Sequence, residues 1–155
     1  MKGFGDQSTS KKKSKKKTTP SQEQAINQAF KFHAQGNISE AAKLYQNFIS
    51  QGFNDHRVFS NYGVILQGLG KLQEAEISYR KAIQLNHDFV EAHSNLGNVL
   101  RDLGKLQDAE LSYHKAIELK PDYAEAHSNL GNILIDLGKL KDACDSYLKS
   151  IEIKP

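Results

Sequence analysis

The chain has 155 residues, 38% hydrophobic and 25% charged, with a net charge of +3, a composition that excludes collagen-like, wholly disordered and disulfide-framework classes. Cys144 is the only cysteine, so an intramolecular disulfide and a cysteine-based zinc cluster are ruled out. No apolar run approaches the roughly 20 residues of a membrane helix, and no apolar stretch of about 7–15 residues follows Met1 as in a secretory signal, so a cytoplasmic protein is expected.

Residues 1–21 read as a tail. Seven lysines and one aspartate lie within residues 1–20, so this stretch holds +6 and leaves −3 for the rest. With almost nothing apolar to bury, it cannot offset the entropy of ordering and is expected to be disordered. The block Lys11–Lys17 offers salt-sensitive, sequence-blind attraction to nucleic acid or an anionic surface. No aromatic residue is interleaved to stack on bases, so a weak contact and a merely solvated tail both stay open.

From residue 22 onward the chain repeats. Val90-Glu91-Ala92-His93-Ser94-Asn95-Leu96-Gly97-Asn98 returns as Ala124-Glu125-Ala126-His127-Ser128-Asn129-Leu130-Gly131-Asn132, and residues 90–121 and 124–155 are identical at 23 of 32 positions. The same 34-residue step gives units at 22–55, 56–89, 90–123 and 124–155 with no insertion. Each unit holds two apolar sets at helical spacing. In the third they are Ala92, Leu96, Val99, Leu100 and Leu103, then Leu106, Ala109, Leu111, Tyr113, Ala116, Ile117 and Leu119. Gly104 separates them, matched by Gly36, Gly70 and Gly138, and suits a left-handed residue that closes the first helix. Gly63, Gly97 and Gly131, with Ala29 in the first unit, are expected to face Ala41, Ala75, Ala109 and Ala143 where the paired helices cross closely. Tyr45, Tyr79, Tyr113 and Tyr147 recur as gap fillers beside that crossing. Pro121 and Pro155 end the second helix; Phe53 and His87 stand there in the first two units, a softer stop.

Little in this pattern carries chemistry. The six histidines never fall three or four apart, the spacing by which one helix offers two ligands to a metal. Residues 63–68 have the glycine spacing of a phosphate loop, but Leu69 and Gly70 follow where lysine and a hydroxyl residue are required. Carboxylates such as Asp102, Asp136 and Glu110 fall on helix surfaces or ends, and no nucleophile motif accompanies them. No catalytic residue, metal site or cofactor is expected, and the chain does not read as an enzyme.

Leu96, Gly97, Gly104, Ala109, Tyr113, Ala116 and Pro121 carry a resemblance to the tetratricopeptide-repeat (TPR) family, which spans residues 22–155. His93 and His127 stand where that family commonly has tryptophan. The resemblance implies an all-α, right-handed helical-hairpin solenoid of four units and about eight helices, acting as a protein- or peptide-binding scaffold. Its first helices would line a concave groove. The inward positions implied are Glu91, Ser94, Asn95, Asn98, Arg101 and Asp102 in the third unit, then Glu125, Ser128, Asn129, Asn132, Ile135 and Asp136 in the fourth. Asn27, Asn61, Asn95 and Asn129 recur every 34 residues, joined by Asn98 and Asn132. An asparagine amide pairs with the N–H and C=O of one peptide unit, so a row of them can grip an extended chain, and the expected site is Asn27, Asn61, Asn95, Asn98, Arg101, Asn129 and Asn132. This column is similar to the asparagine ladder of protein O-linked N-acetylglucosamine transferases. That likeness implies an alternative role, the substrate-recruiting front of a larger enzyme such as a glycosyltransferase. The lysines of the family's carboxylate clamp are missing, since its fifth positions hold Ile26, Ser60, Ser94 and Ser128. Glu23, Glu91, Asp102, Glu125 and Asp136 outnumber Arg57 and Arg101 on the implied inner face, which favours a neutral or basic partner.

The last helix ends on Tyr147, Leu148, Ile151 and Ile153, with Leu148 in place of Gln46, Arg80 and His114. A bare apolar face of that kind reads as an association surface at Tyr147, Leu148 and Ile151, or as the seat of a further repeat.

Overall fold

The computed structural model describes residues 19–155, so the expectations for Lys11–Lys17 lie outside the described residues. Those described form eight helices: α1 Pro20–Ala34, α2 Ile38–Ser50, α3 His56–Gly68, α4 Leu72–Leu85, α5 Val90–Asp102, α6 Leu106–Leu119, α7 Ala124–Asp136 and α8 Leu140–Ile153. Helix α1 starts at Pro20, inside the stretch assigned to the tail. The Thr19 N–H donates to Gln22 Oε1 at 2.6 Å, and a proline at the first helical position has no amide hydrogen to leave unpaired.

The four hairpin turns close alike. Gly36, Gly70, Gly104 and Gly138 adopt φ of 77°, 73°, 73° and 74°. The following residue, Asn37, Lys71, Lys105 or Lys139, then donates its N–H to the carbonyl of Phe32, Leu66, Leu100 or Leu134 at 2.7 to 2.9 Å, which caps the first helix. A fifth left-handed glycine, Gly52 at φ 78°, follows α2. The stop in the first unit is therefore made by glycine, and Phe53 instead packs on Phe48 with ring centroids 5.2 Å apart.

Within each hairpin the small residues work differently from the sequence expectation. A Cβ on Gly63, Gly97 or Gly131 would stand 2.8 Å from the ring of Tyr79, Tyr113 or Tyr147. These glycines make room for the tyrosine of their own hairpin, which then lies flat under the first helix. Ala41, Ala75 and Ala109 are fully buried, as are Tyr79 and Tyr113. Two apolar clusters result, one reaching from Ile26 to Ile65 and one from Leu66 to Ala143, with Tyr62 packed against both.

Stacking of the hairpins creates two unlike faces. The first helices α3, α5 and α7 touch in succession, whereas successive second helices make no comparable contact. The array therefore curves toward its first helices. On the splayed side, Lys105 Nζ reaches Glu76 Oε2 at 2.8 Å and Lys139 Nζ reaches Glu110 Oε1 at 2.7 Å, so each later hairpin is pinned to the one before it.

Candidate functional site

The asparagines fall on the first helices, but they are not six equal amides. Buried Tyr113, seated in the space left by Gly97, donates its hydroxyl to Asn98 Oδ1 at 2.6 Å. Burial pushes this phenol well above its ordinary pKa, so it remains a donor. Asn98 Oδ1 also accepts from Asn129 Nδ2 at 3.4 Å, which joins the third and fourth repeats. Tyr147 holds Asn132 Oδ1 in the same way at 2.7 Å. The oxygens of Asn98 and Asn132 are thus committed, and their NH2 groups are left as donors. Asn27, exposed, and Asn61 and Asn95, half-buried, make no side-chain hydrogen bond among the described residues. In the first two repeats Phe30 and Val64 occupy the place of Asn98. There Tyr45 lies 3.4 Å from His33 Nδ1 and Tyr79 donates to Gln67 at 3.3 Å.

Other residues expected on the inner face behave otherwise. Ser60, Ser94 and Ile26 are buried where neighbouring helices pack, so the fifth position is closed to a ligand in the first three repeats, while Ser128 is half-buried. Arg101 turns onto Asp102 Oδ1 at 3.2 Å through Nη2. Arg57 grips Asp55 Oδ2 at 2.7 Å, lies 3.9 Å from Glu23 Oε1 and covers the Phe30 ring at 5.4 Å. Burial raises the Asp55 carboxyl, but hydrogen bonds and charge from Arg57 outweigh it and leave the group below its ordinary value. Both arginines are spent within the chain. No cation pairs with Glu91, Glu125 or Asp136 among the described residues, so the face is more acidic than a residue count implies.

On the splayed side the gaps between second helices form three grooves in the same register, of 330, 460 and 310 Å3. Their floors carry Phe59, His93 and His127 in turn. His93 Nε2 donates to the His87 carbonyl and His127 Nε2 to that of Pro121, both at 2.9 Å, which pins the chain entering α5 and α7. Ile77 and Leu111 stand on the groove walls, 69% and 68% exposed. Leu111 is therefore not part of the hairpin core; an apolar residue on the outward side of a second helix was the signal for these grooves in the sequence. At the end of the array Leu148 and Ile151 are each 61% exposed, while Ile83 and Ile117 at the place of Ile151 are half covered by the following repeat. Tyr147 faces inward to Gly131 and Asn132, so only its edge belongs to that surface.

A family model described as "TPR repeat" matches residues 63–100 and 97–138, and one described as "Tetratricopeptide repeat" matches residues 124–155. Among solved structures, a crystal structure of MamA is similar with a TM-score of 0.81 and 21% identity, covering 86% of this chain and 78% of that one. YrrB, described as a TPR protein with an unusual peptide-binding site, is similar with a TM-score of 0.77 and 22% identity, covering 84% and 68%. A tetratricopeptide repeat protein from Parabacteroides merdae gives a TM-score of 0.76 and 24% identity, covering 88% and 54%. No curated protein matches the chain. No helix among the described residues is long and apolar enough to cross a membrane.

Proposed function

Because the chain belongs to the tetratricopeptide-repeat family, we propose that it is a scaffold that holds an extended polypeptide along its first helices, with no catalysis of its own. The observation that carries this reading is the pairing of Tyr113 with Asn98 and of Tyr147 with Asn132, which fixes two amides with their NH2 groups free. Beside them Asn61 and Asn95 keep both donor and acceptor. The set reads backbone: fixed donors meet peptide carbonyls, and the freer amides meet whole peptide units. An amide held in advance by a buried tyrosine loses little freedom on binding, which favours affinity. The unpaired Glu91, Glu125 and Asp136 favour a neutral or basic ligand. The alternative role, recruiting substrate for a larger enzyme such as a glycosyltransferase, would use the same groove.

The test is fluorescence anisotropy of the full chain against an array of labelled peptides of about nine residues, which at ~3.3 Å per residue span about three repeats. Asn95→Ala with Asn129→Ala is expected to weaken the best binder by roughly tenfold, since each lost neutral hydrogen bond costs about 0.5–1.5 kcal/mol. Helix content stays unchanged. An affinity indifferent to both substitutions moves the site off this face.

A further inference from the structure

An apolar side chain on the outward side of a second helix gains little from folding, yet Ile77 and Leu111 stand exposed there on α4 and α6. At the same place on α2 and α8 the chain has Lys43 and Asp145. The apolar part of the splayed side is therefore bounded by charge at both ends, the form of an interaction surface rather than of scattered apolar residues.

Of the three grooves on this side, the first, of 330 Å3, is the most apolar. It is lined by Ile49 of α2, by Phe59, Tyr62 and Leu66 of α3, and by Ile77 of α4. Most polar groups around it are already engaged. Ser78 donates its hydroxyl to the Phe59 carbonyl at 2.8 Å, the Tyr62 hydroxyl accepts from Gln46 Nε2 at 2.6 Å, and Glu74 holds Lys71 at 3.1 Å. Lys81, which also lines the groove, is different. Its Nζ donates to the neutral amide of Gln84 at 2.9 Å and meets no carboxylate among the described residues. Lys115 and Lys149 line the next two grooves from the same place, but they reach Glu118 and Glu152 at 2.8 and 2.9 Å. An uncompensated ammonium thus stands beside the most apolar groove, with N–H donors to spare.

We propose that this groove docks a partner peptide segment in which a bulky apolar side chain is followed by an acidic residue, the apolar group entering between Ile49 and Ile77 and the carboxylate pairing with Lys81. The volume stands at the low end of the ~300–1,000 Å3 of ligand pockets, which suits one such side chain, and a phenylalanine would find the rings of Phe59 and Tyr62. Pockets for free small molecules enclose roughly 70–90% of them. Here the wall residue Ile77 is itself exposed, so the occupant is a side chain anchored to a backbone that stays outside. A basic residue in place of the acid would be repelled by Lys81. The site is independent of the asparagine column on the first helices, and the chain can hold two polypeptides at once.

The experiment titrates the full chain with an acetylated, amidated Ser/Gly peptide of about nine residues carrying a central Phe-Glu pair, and with Phe-Gln and Phe-Lys counterparts, read by the methyl chemical shifts of Ile49, Leu66 and Ile77. The Phe-Glu peptide is expected to shift these methyls and to bind roughly fivefold tighter than Phe-Gln, the factor that corresponds to about 1 kcal/mol for an exposed ion pair. Lys81→Glu transfers the preference to Phe-Lys, a reversal that a merely structural lysine would not produce. Ile77→Ser weakens all three peptides, and Asn95→Ala with Asn129→Ala leaves them unchanged. Methyls that do not shift with Phe-Glu, or a ranking of the peptides that Lys81→Glu leaves as it was, overturn the proposal. Loss of binding in the asparagine variant overturns it by moving the peptide to the first helices, and shifts with decanoate but with none of the peptides overturn it by giving the groove to a free apolar acid.

Discussion

Replacing Gly97 by alanine tests the confinement of Tyr113 and, through it, the fixed amide of Asn98. The new Cβ would stand 2.8 Å from Tyr113 Cζ and 2.9 Å from Cε1 and Cε2. Carbon atoms settle at ~3.5–4.0 Å, so the ring has to retreat by roughly 0.7 Å or more. Tyr113 is 0% exposed and its hydroxyl is tied to Asn98 at 2.6 Å, which leaves the ring no free direction and stretches that bond as it moves. Overpacking costs about 1–3 kcal/mol and the damaged hydrogen bond about 0.5–1.5, while the better helix propensity of alanine returns about 1. The net expectation is a loss of about 1–3 kcal/mol. Gly131→Ala meets the same 2.8 Å clash with Tyr147 Cζ, but that tyrosine is only half-buried at the end of the array and can swing aside, so its cost stays below about 1 kcal/mol. Urea denaturation followed by far-UV circular dichroism compares the two variants with the parent. A Gly97→Ala protein as stable as the parent, or an equal loss for the two variants, refutes the idea that the following repeat locks the tyrosine in place.

Two more expectations concern a joint between repeats and the exposed end of the array. The Glu76 carboxyl is held below its ordinary 4.5 by the hydrogen bond from Lys105, and further by Arg80, against the opposing effect of burial. A depressed carboxyl pKa stabilises the fold above the unfolded-state value and loses that effect as pH falls through the folded one. Glu76→Gln should therefore cost up to about 1 kcal/mol at neutral pH, with the gap from the parent closing as pH drops from 4.5 downward; a gap that persists in acid would mark a packing effect. Leu148→Lys and Ile151→Lys are expected to abolish concentration-dependent light scattering by the chain, and a parent that scatters as a monomer at every concentration removes self-association through this face.

The repeat register was legible in the sequence because identical residues at a 34-residue step leave one alignment, and left-handed Gly36, Gly70, Gly104 and Gly138 lie where that alignment puts a turn. Thr19 and Pro20 escaped because a lysine-rich neighbourhood masked a capping signal only a few residues long. The asparagine positions were legible as a column, yet their inequality was not. Whether an amide is free depends on a tyrosine hydroxyl 15 residues further along, as with Asn98 and Tyr113. Charge on the inner face was counted residue by residue in the sequence, but that count left out Asp55, whose carboxylate takes Arg57 at 2.7 Å. Buried Ser60 and Ser94 show the same limit, because a position assigned to the groove by family likeness sits where neighbouring helices press together.

The unequal contact on the two faces of the array has a mechanical meaning. First helices that touch resist compression, while the second helices are separated by open grooves and linked across two of the joints by long lysine side chains, from Lys105 to Glu76 and from Lys139 to Glu110. Bending that narrows or widens those grooves turns the lysine stems and works against the packing of α4 on α5 and α6 on α7 at the groove floors. The array is thus a spring with a stiff inner edge and a compliant outer one. Its pitch sets the interval between Asn61, Asn95 and Asn129; under the proposed groove reading, a ligand whose peptide units fall slightly out of step would be matched by coiling or uncoiling the protein rather than by straining the ligand.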